Sequence, residues 1–359
     1  MSIKLPPTET VTIGTLEPKV GFARRTLRTQ AFQILLVLLA IVTIFSFLAP
    51  DTFAQWSNFR LIIQNASILA VLGVGMAYVI ITAGIDLSIG SVLVFSGVIS
   101  AIVMREMGGQ GWGVAAVGVL VAVGSGLAWG LLNGFLIAKA KIPPLIVTLG
   151  SLGMALGLAQ IITGGVDIRE VPAVLTQSIG YGNVFGTVPT ISVIALVVVV
   201  IGAIVLAFTK FGLYTLAVGS SEVAARRVGV KVDRQLIKIY AMSGALAGLA
   251  GILSLSQFST TAIAGQSQTN LNVIAAVVIG GTSLFGGVGT IIGTVVGLFI
   301  PAVLQNGFVI NGVQPFWQQV AVGAVLIIAV YVDQLRRSAA LRGNTQSLWR
   351  RLLGPGNSS

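Results

Sequence analysis

The sequence predicts an all-α, polytopic membrane protein of about ten transmembrane helices. Three observations predict it. Charged residues make up 9% of the 359-residue chain, where a soluble domain carries roughly 25%. Apolar residues make up 55% and the mean hydropathy is +0.98, so the chain cannot cover its own surface with water-compatible side chains. Apolar runs of about 20 residues, the length that crosses a bilayer, recur along it. A soluble enzyme and a disordered chain are both excluded.

Residues 1–30 are polar, with Pro6, Pro7, Pro18 and the cluster Arg24, Arg25 and Arg28, and read as a cytoplasmic tail. The first apolar run is Ala31–Ala49. No small-residue cleavage site follows it before Pro50, so it reads as an uncleaved helix and not as a secretory signal. Further runs lie at 61–82, 87–104, 112–138, 145–163, 189–208, 239–258, 271–285, 287–308 and 314–332. Together they define a transmembrane region over 31–332, with 333–359 as a second cytoplasmic tail. The stretch 61–104 is interrupted only by Gly84, Asp86 and Ser88, and 271–308 by Gly280, Gly281, Gly286, Gly287 and Gly289. Each reads either as two helices or as a helix with a broken or re-entrant piece, at 83–91 and 280–289 respectively. The pieces 79–97 and 277–297 share an apolar, small, apolar order, which glycine-rich composition alone also produces. Pro143-Pro144 after Lys141 marks a helix start, where proline is tolerated.

The net charge is +11. With ten spans and both termini inside, 18 of the 21 Lys and Arg residues are cytoplasmic, and only Arg60, Arg105 and Arg169 are external. That bias follows the positive-inside rule. The charge therefore reports topology, with attraction to anionic lipid headgroups as a consequence. It does not point to nucleic acid. The chain has no Cys and no His, which removes disulfides, zinc-thiolate sites, Ser-His-Asp triads and imidazole relays. No GxxxxGK[ST] run is present, so any nucleotide-driven engine is another polypeptide.

Among Asp, Glu, Lys and Arg, Asp86 is the one residue inside an apolar stretch. A charge at the bilayer centre costs at least about 2.5–3.5 kcal/mol and needs a partner or water. It reads as a group, with Ser88 beside it, that lines a path or fixes a broken helix. It also reads as a cap for a helix starting at Leu87, accepting from the amides of Ser88 and Ile89. A proton relay is a third reading, with no second ionisable group in view. Gln64, Asn65, Asn133, Thr148, Gln160, Asn270, Asn272, Gln305, Asn306, Gln318 and Gln319 recur at membrane depth. Their amides both donate and accept, which suits hydroxyl-rich neutral ligands; interhelical hydrogen bonding accounts for any one of them equally. The set is polar but uncharged, which disfavours an ion channel.

The longest basic loop is 209–238. Within it Ser220 or Ser221 can cap a short helix, Glu222 suits its first turn, Val223, Ala224, Ala225 and Arg226 continue it, and Gly229 can end it. It reads either as a solvated connector or as a helix that docks into a cleft on a cytoplasmic partner.

Five segments in order then carry a resemblance: AGIDLSIGS (83–91), LNGFLIAKAKIPPLIVTLGS (132–151), FGLYTLAVGSSEVAARRVGVKV (211–232), YAMSGALAGLAGIL (240–253) and IAAVVIGGTSLFGGVGTIIGTVVG (274–297). They resemble the inner-membrane permeases of bacterial ribose, xylose, arabinose and galactose-type ABC importers, within the wider branched-chain amino acid and sugar permease superfamily. The likeness covers about residues 55–335. It implies a type II-like importer permease in the bacterial inner membrane with no catalytic site and no cofactor of its own. ATP and Mg would sit on a cytoplasmic ATPase dimer docked at 209–238, with Ser221, Glu222, Val223, Ala224, Ala225, Arg226 and Gly229 at the coupling region. A second permease copy or homologue would complete the pathway, and a periplasmic binding protein would deliver a monosaccharide or polyol. Asp86 and Ser88 fall in the signature segment, and Asn65, Asn133, Asn270, Asn272 and Asn306 are the pathway candidates. Two departures stand out. Asn270-Leu271-Asn272 replaces a commonly acidic ELD, and Leu145 replaces a Phe; the loss of two carboxylates implies an altered outer mouth or binding-protein contact. An ion-coupled secondary transporter using Asp86 is the alternative function, and a passive channel is a third.

Overall fold

The computed structural model describes residues 30–264, 268–314 and scattered positions of 316–334. Both predicted tails, apart from Gln30 and Gln334, lie outside the described residues, as does Gln318. The helices are α1 (Gln30–Leu48), α2 (Trp56–Ile81), α3 (Ile89–Met107), α4 (Trp112–Ala138), α5 (Pro144–Thr163), α6 (Thr190–Phe208), α7 (Lys210–Ser220), α8 (Glu222–Arg227), α9 (Val232–Phe258), α10 (Thr269–Ile279) and α11 (Ile291–Ile310). Helical residues recur between 316 and 334. Between α5 and α6 lies a small antiparallel ribbon, Asn183–Val184 against Val188–Pro189.

Seven of the described helices, α2 to α6, α9 and α11, are long and apolar enough to cross a membrane. Phe32–Leu48 within α1 and Thr269–Ile279 are shorter apolar helices. The chain is a multi-pass helical membrane protein. Burial separates centre from rim. Within the most apolar window of α2, 78% is buried, against 22% for α6, whose window is the more hydrophobic of the two. A helix that is apolar all round yet unburied by protein faces lipid; α2 is the core element.

The closest packing is between α4 and α9. Gly126, Gly130 and Gly134 recur every four residues and so line one face of α4. A Cβ on Gly126 would overlap the Gly244 carbonyl, and one on Gly130 the Tyr240 carbonyl. On α9, a Cβ on Gly248 would overlap the Ala122 carbonyl. The glycines let two backbones approach where no hydrophobic force between helices is available.

Both interrupted stretches are broken. The first resolves into α2 and α3, with Thr82–Ser88 non-helical between them and Ala83 at φ 61°. The second differs from the expected span over 271–285: only Thr269–Ile279 is helical, and 280–290 is not. Gly281, Gly286 and Gly287 adopt φ of 94°, 81° and 78°, values that stop a right-handed helix and that glycine reaches without strain. The two breaks touch: the Gly287 amide donates to the Ile81 carbonyl at 2.8 Å. The segments 79–97 and 277–297 thus share a helix, break, helix layout and meet at their breaks.

One end of the bundle holds these breaks together with Lys139, Lys141, α7 and α8, since Lys141 pairs with Asp233 and Gly287 abuts Ser220. The opposite end is tied by Arg60 to Asn183 and by Gln110 to the Ala173 amide at 2.7 Å.

Candidate functional site

A cavity of about 540 Å³ opens in the half of the bundle away from α8. Its walls are α2, the end of α9, the start of α10, α11 and helical residues 319–322. Asn65, Gln268, Thr269, Asn272, Gln305, Asn306 and Gln319 form its polar lining, with Leu61, Ile68, Phe258 and Pro301 among the apolar residues. No ionisable side chain lines it among the described residues. Pro301 lies inside α11, where it cannot donate to the helix ladder.

Local bonds orient these amides. Asn65 Oδ1 accepts from Gln257 Nε2 at 2.7 Å. Asn306 and Asn58 exchange two bonds, at 3.0 and 2.8 Å, and Asn58 also donates to the Phe53 carbonyl. A concave wall of amides between apolar side chains can donate to and accept from a hydroxylated, uncharged molecule.

The pathway candidates divide in two. Asn65, Asn272 and Asn306 line the cavity. Asp86, Ser88, Asn133 and Asn270 do not; they form a buried lattice around the α2–α3 break. Asp86 is 2% exposed. Its Oδ1 accepts from the Ser88 amide at 2.9 Å and the Ser88 hydroxyl at 2.6 Å, and its Oδ2 accepts from the Ser243 hydroxyl at 3.3 Å. Asn133 donates to Ser88 Oγ at 3.0 Å and accepts from the Ser151 hydroxyl. Thr148 donates to the Ile85 carbonyl at 3.1 Å, and Asn270 Oδ1 accepts from the Gly90 amide at 2.6 Å. The capping expectation needs correction. The helix starts at Ile89, not Leu87, and Asp86 takes the amide of Ser88 only, as a turn before the helix. The positive end of α3 still favours the carboxylate.

At the other site, α8 forms as its residues predict. Ser221 Oγ accepts from the Ala224 amide at 3.2 Å, and Gly229 follows the helix at φ 88°. The alanine face divides, however. Ala225 is 3% exposed and packs with Val218 and Val232, while Val223 and Ala224 point outward. Arg226 bonds Glu222 at 2.8 Å and also Asp233, which takes Lys141 at 3.0 Å and Lys139 at 3.5 Å. The Asp233 carboxylate, and then that of Glu222, raises the Arg226 guanidinium pKa above its ordinary value. Asp233 so joins α8, the α4–α5 turn and the start of α9.

Sequence reasoning did not single out Gln257, Asn58, Gln268 or Thr269. Gln257 was visible as an amide within the apolar run 239–258. Nothing in the spacing distinguished the others.

Residues 58–330 match the family described as branched-chain amino acid transport system / permease component. The chain is 36% identical to the ribose import permease protein of Escherichia coli (strain K12) over 84% of this chain and 93% of that one. It is 35% identical to the fructose import permease protein of Rhizobium meliloti over 85% and 86% of the two chains. It is 35% identical to a probable ABC transporter permease protein of Sinorhizobium fredii over 91% and 95%. No solved structure matches. A multi-pass helical bundle with a match over most of its length to that family's permeases belongs to the branched-chain amino acid transport system / permease component family of ABC transporters.

Proposed function

We propose that this chain is the permease subunit of an ABC importer and forms the pathway for a monosaccharide or polyol. The observation that carries the reading is the amide-lined, uncharged cavity of about 540 Å³. Hydroxyl groups pair with amides in either direction, so such a wall accepts sugars without selecting a charge. The relatives named for ribose and fructose import support the sugar class.

The bilayer is the bacterial inner membrane. In this reading the chain crosses ten times, counting α1, the short α10 and the helical residues 316–334, with both tails and the 209–238 loop in the cytoplasm, and the excess of Lys and Arg in those segments supports that orientation. There α8 presents Val223 and Ala224 to a dimeric ATPase, which holds the ATP and Mg. A second permease copy or a homologue completes the pathway, and a periplasmic binding protein delivers the sugar. The chain itself carries out no chemistry. The ion-coupled alternative draws no support, since Asp86 is bonded on both oxygens away from the cavity.

The test is purification of the tagged chain from its native membranes in mild detergent, followed by reconstitution with the ATPase that co-purifies and a candidate binding protein. ATP-dependent uptake of ribose, fructose or a related polyol supports the reading. A chain that purifies alone in several detergents, with uptake abolished by a protonophore at constant ATP, overturns it.

A further inference from the structure

The residues just before α8 meet the two helix breaks mainly through backbone. Gly219 and Ser220 end α7, and Ser221 begins the cap of α8. A Cβ on Gly219 would fall on the Ile81 carbonyl and within 2.6 Å of the Gly287 amide nitrogen. A Cβ on Gly286 would lie 2.7 Å from the Gly219 carbonyl oxygen, and one on Gly287 would lie 2.6 Å from Ser220 Oγ. The Gly287 amide closes the contact by donating to Ile81 at 2.8 Å. Three chain segments distant in sequence therefore touch mainly through backbone, with the short Ser220 and Ala83 side chains beside the glycines. Such a contact has little rotamer freedom to absorb a displacement.

Each of the other two segments leads to the cavity. From Ile81, α2 runs back to Asn65, about 24 Å away at 1.5 Å per residue. From the loop holding Gly286 and Gly287, the chain leads back through Gly280 to α10, whose start carries Thr269 and Asn272 on the cavity wall. On the other side the same loop leads into α11, which carries Gln305 and Asn306. Three walls of the cavity thus converge on one point, and that point abuts the root of α8.

We propose that the contact of Gly219 and Ser220 with Ile81, Gly286 and Gly287 is the junction through which movement of α8 reaches the cavity walls. These are positioning residues and touch no substrate. The proposal rests on the reading of α8 as the ATPase docking helix. Coupling between distant sites requires an element that both sites bias; α2, which ends in this junction, and α10 and α11, which the 280–290 loop joins to it, face the cavity and supply it.

The absence of native cysteine permits a direct test. Asn272→Cys places one thiol on the cavity wall. In nanodiscs holding the full chain and its co-purified ATPase, its labelling rate by a maleimide is measured without nucleotide and with vanadate-trapped ADP. With the junction intact the rate changes by at least about fivefold between the two states. Gly219→Ala drives a methyl into the Ile81 carbonyl; Gly287→Ala, whose methyl meets the Ser220 hydroxyl, is a second wedge in the same contact and decides the matter if the first variant fails to reach the membrane. Either variant should keep the ATPase bound and hydrolysing while the labelling change falls below about twofold. A folded variant that binds ATPase and keeps the full labelling change overturns the proposal. If no ATPase binds the unsubstituted chain, the docking reading itself fails, and the junction's role fails with it.

Discussion

The Ser243 hydroxyl donates to the Asp86 carboxylate at 3.3 Å, joining α9 to the α2–α3 break across 157 positions of sequence. Ser88 occupies the other carboxylate oxygen with both its amide and its hydroxyl. The buried carboxyl group is thus satisfied by three neutral donors and the start of α3. Asp86→Ala should destabilise the protein by about 1–3 kcal/mol, since it leaves those buried donors unpaired. Asp86→Asn keeps an acceptor oxygen and should lose less. Thermal unfolding in detergent ranks the two. Uptake by Asp86→Asn should persist and resist a protonophore; complete loss of uptake with an unchanged melting temperature would instead assign Asp86 to transport.

Asn272 faces the cavity whereas Asn270, two residues earlier, is bound to the Gly90 amide. Substitutions at the two sites should separate. Asn272→Leu should lower uptake by roughly two- to tenfold, the worth of one hydrogen bond, with little change in stability. Asn270→Leu should lower stability first. Uptake assays paired with melting curves distinguish them, and equal melting losses at both positions would contradict the assignment of Asn272 to the cavity.

Those two asparagines also mark how far the sequence could be read. Hydropathy located the helices because a bilayer demands apolar runs of fixed length, and the match at 112–138 is residue for residue. The same logic carried the run 271–285 past Ile279, where the helix ends. Its composition is apolar throughout, and only the left-handed glycines beyond Ile279 end the helix. Depth alone grouped Asn270 with Asn272 and Asn133 with Asn306. Which of them faces a cavity depends on how five helices pack, and no local period encodes that. The α8 cap was legible because Ser221, Ala224 and Gly229 act through neighbours in sequence.

Within α8, Val223 is 61% exposed and Ala225 is 3% exposed. The two should respond differently to the same side chain. Val223→Arg should leave the melting temperature unchanged while removing the co-purifying ATPase and abolishing uptake. Ala225→Arg should destabilise the loop itself, because its charge would enter the Val218 and Val232 cluster without a partner. A Val223→Arg chain with normal uptake would dismiss α8 as the docking element.

The α4–α9 contact offers a prediction within one helix. A Cβ on Gly130 would overlap the Tyr240 carbonyl, while one on Gly124 meets nothing within 4 Å. In both places alanine is the better helix former, by about 0.8–1.0 kcal/mol in a water-exposed helix. At Gly124 nothing opposes that gain, so Gly124→Ala should be neutral or stabilising. At Gly130 the methyl must push two backbones apart, and overpacking of this kind costs about 1–3 kcal/mol. Gly130→Ala should therefore melt lower than the unsubstituted chain in the same detergent, and Gly124→Ala should not. Equal melting temperatures for the two variants would mean that α4 and α9 are free to separate, and that their glycines reflect composition and not close packing.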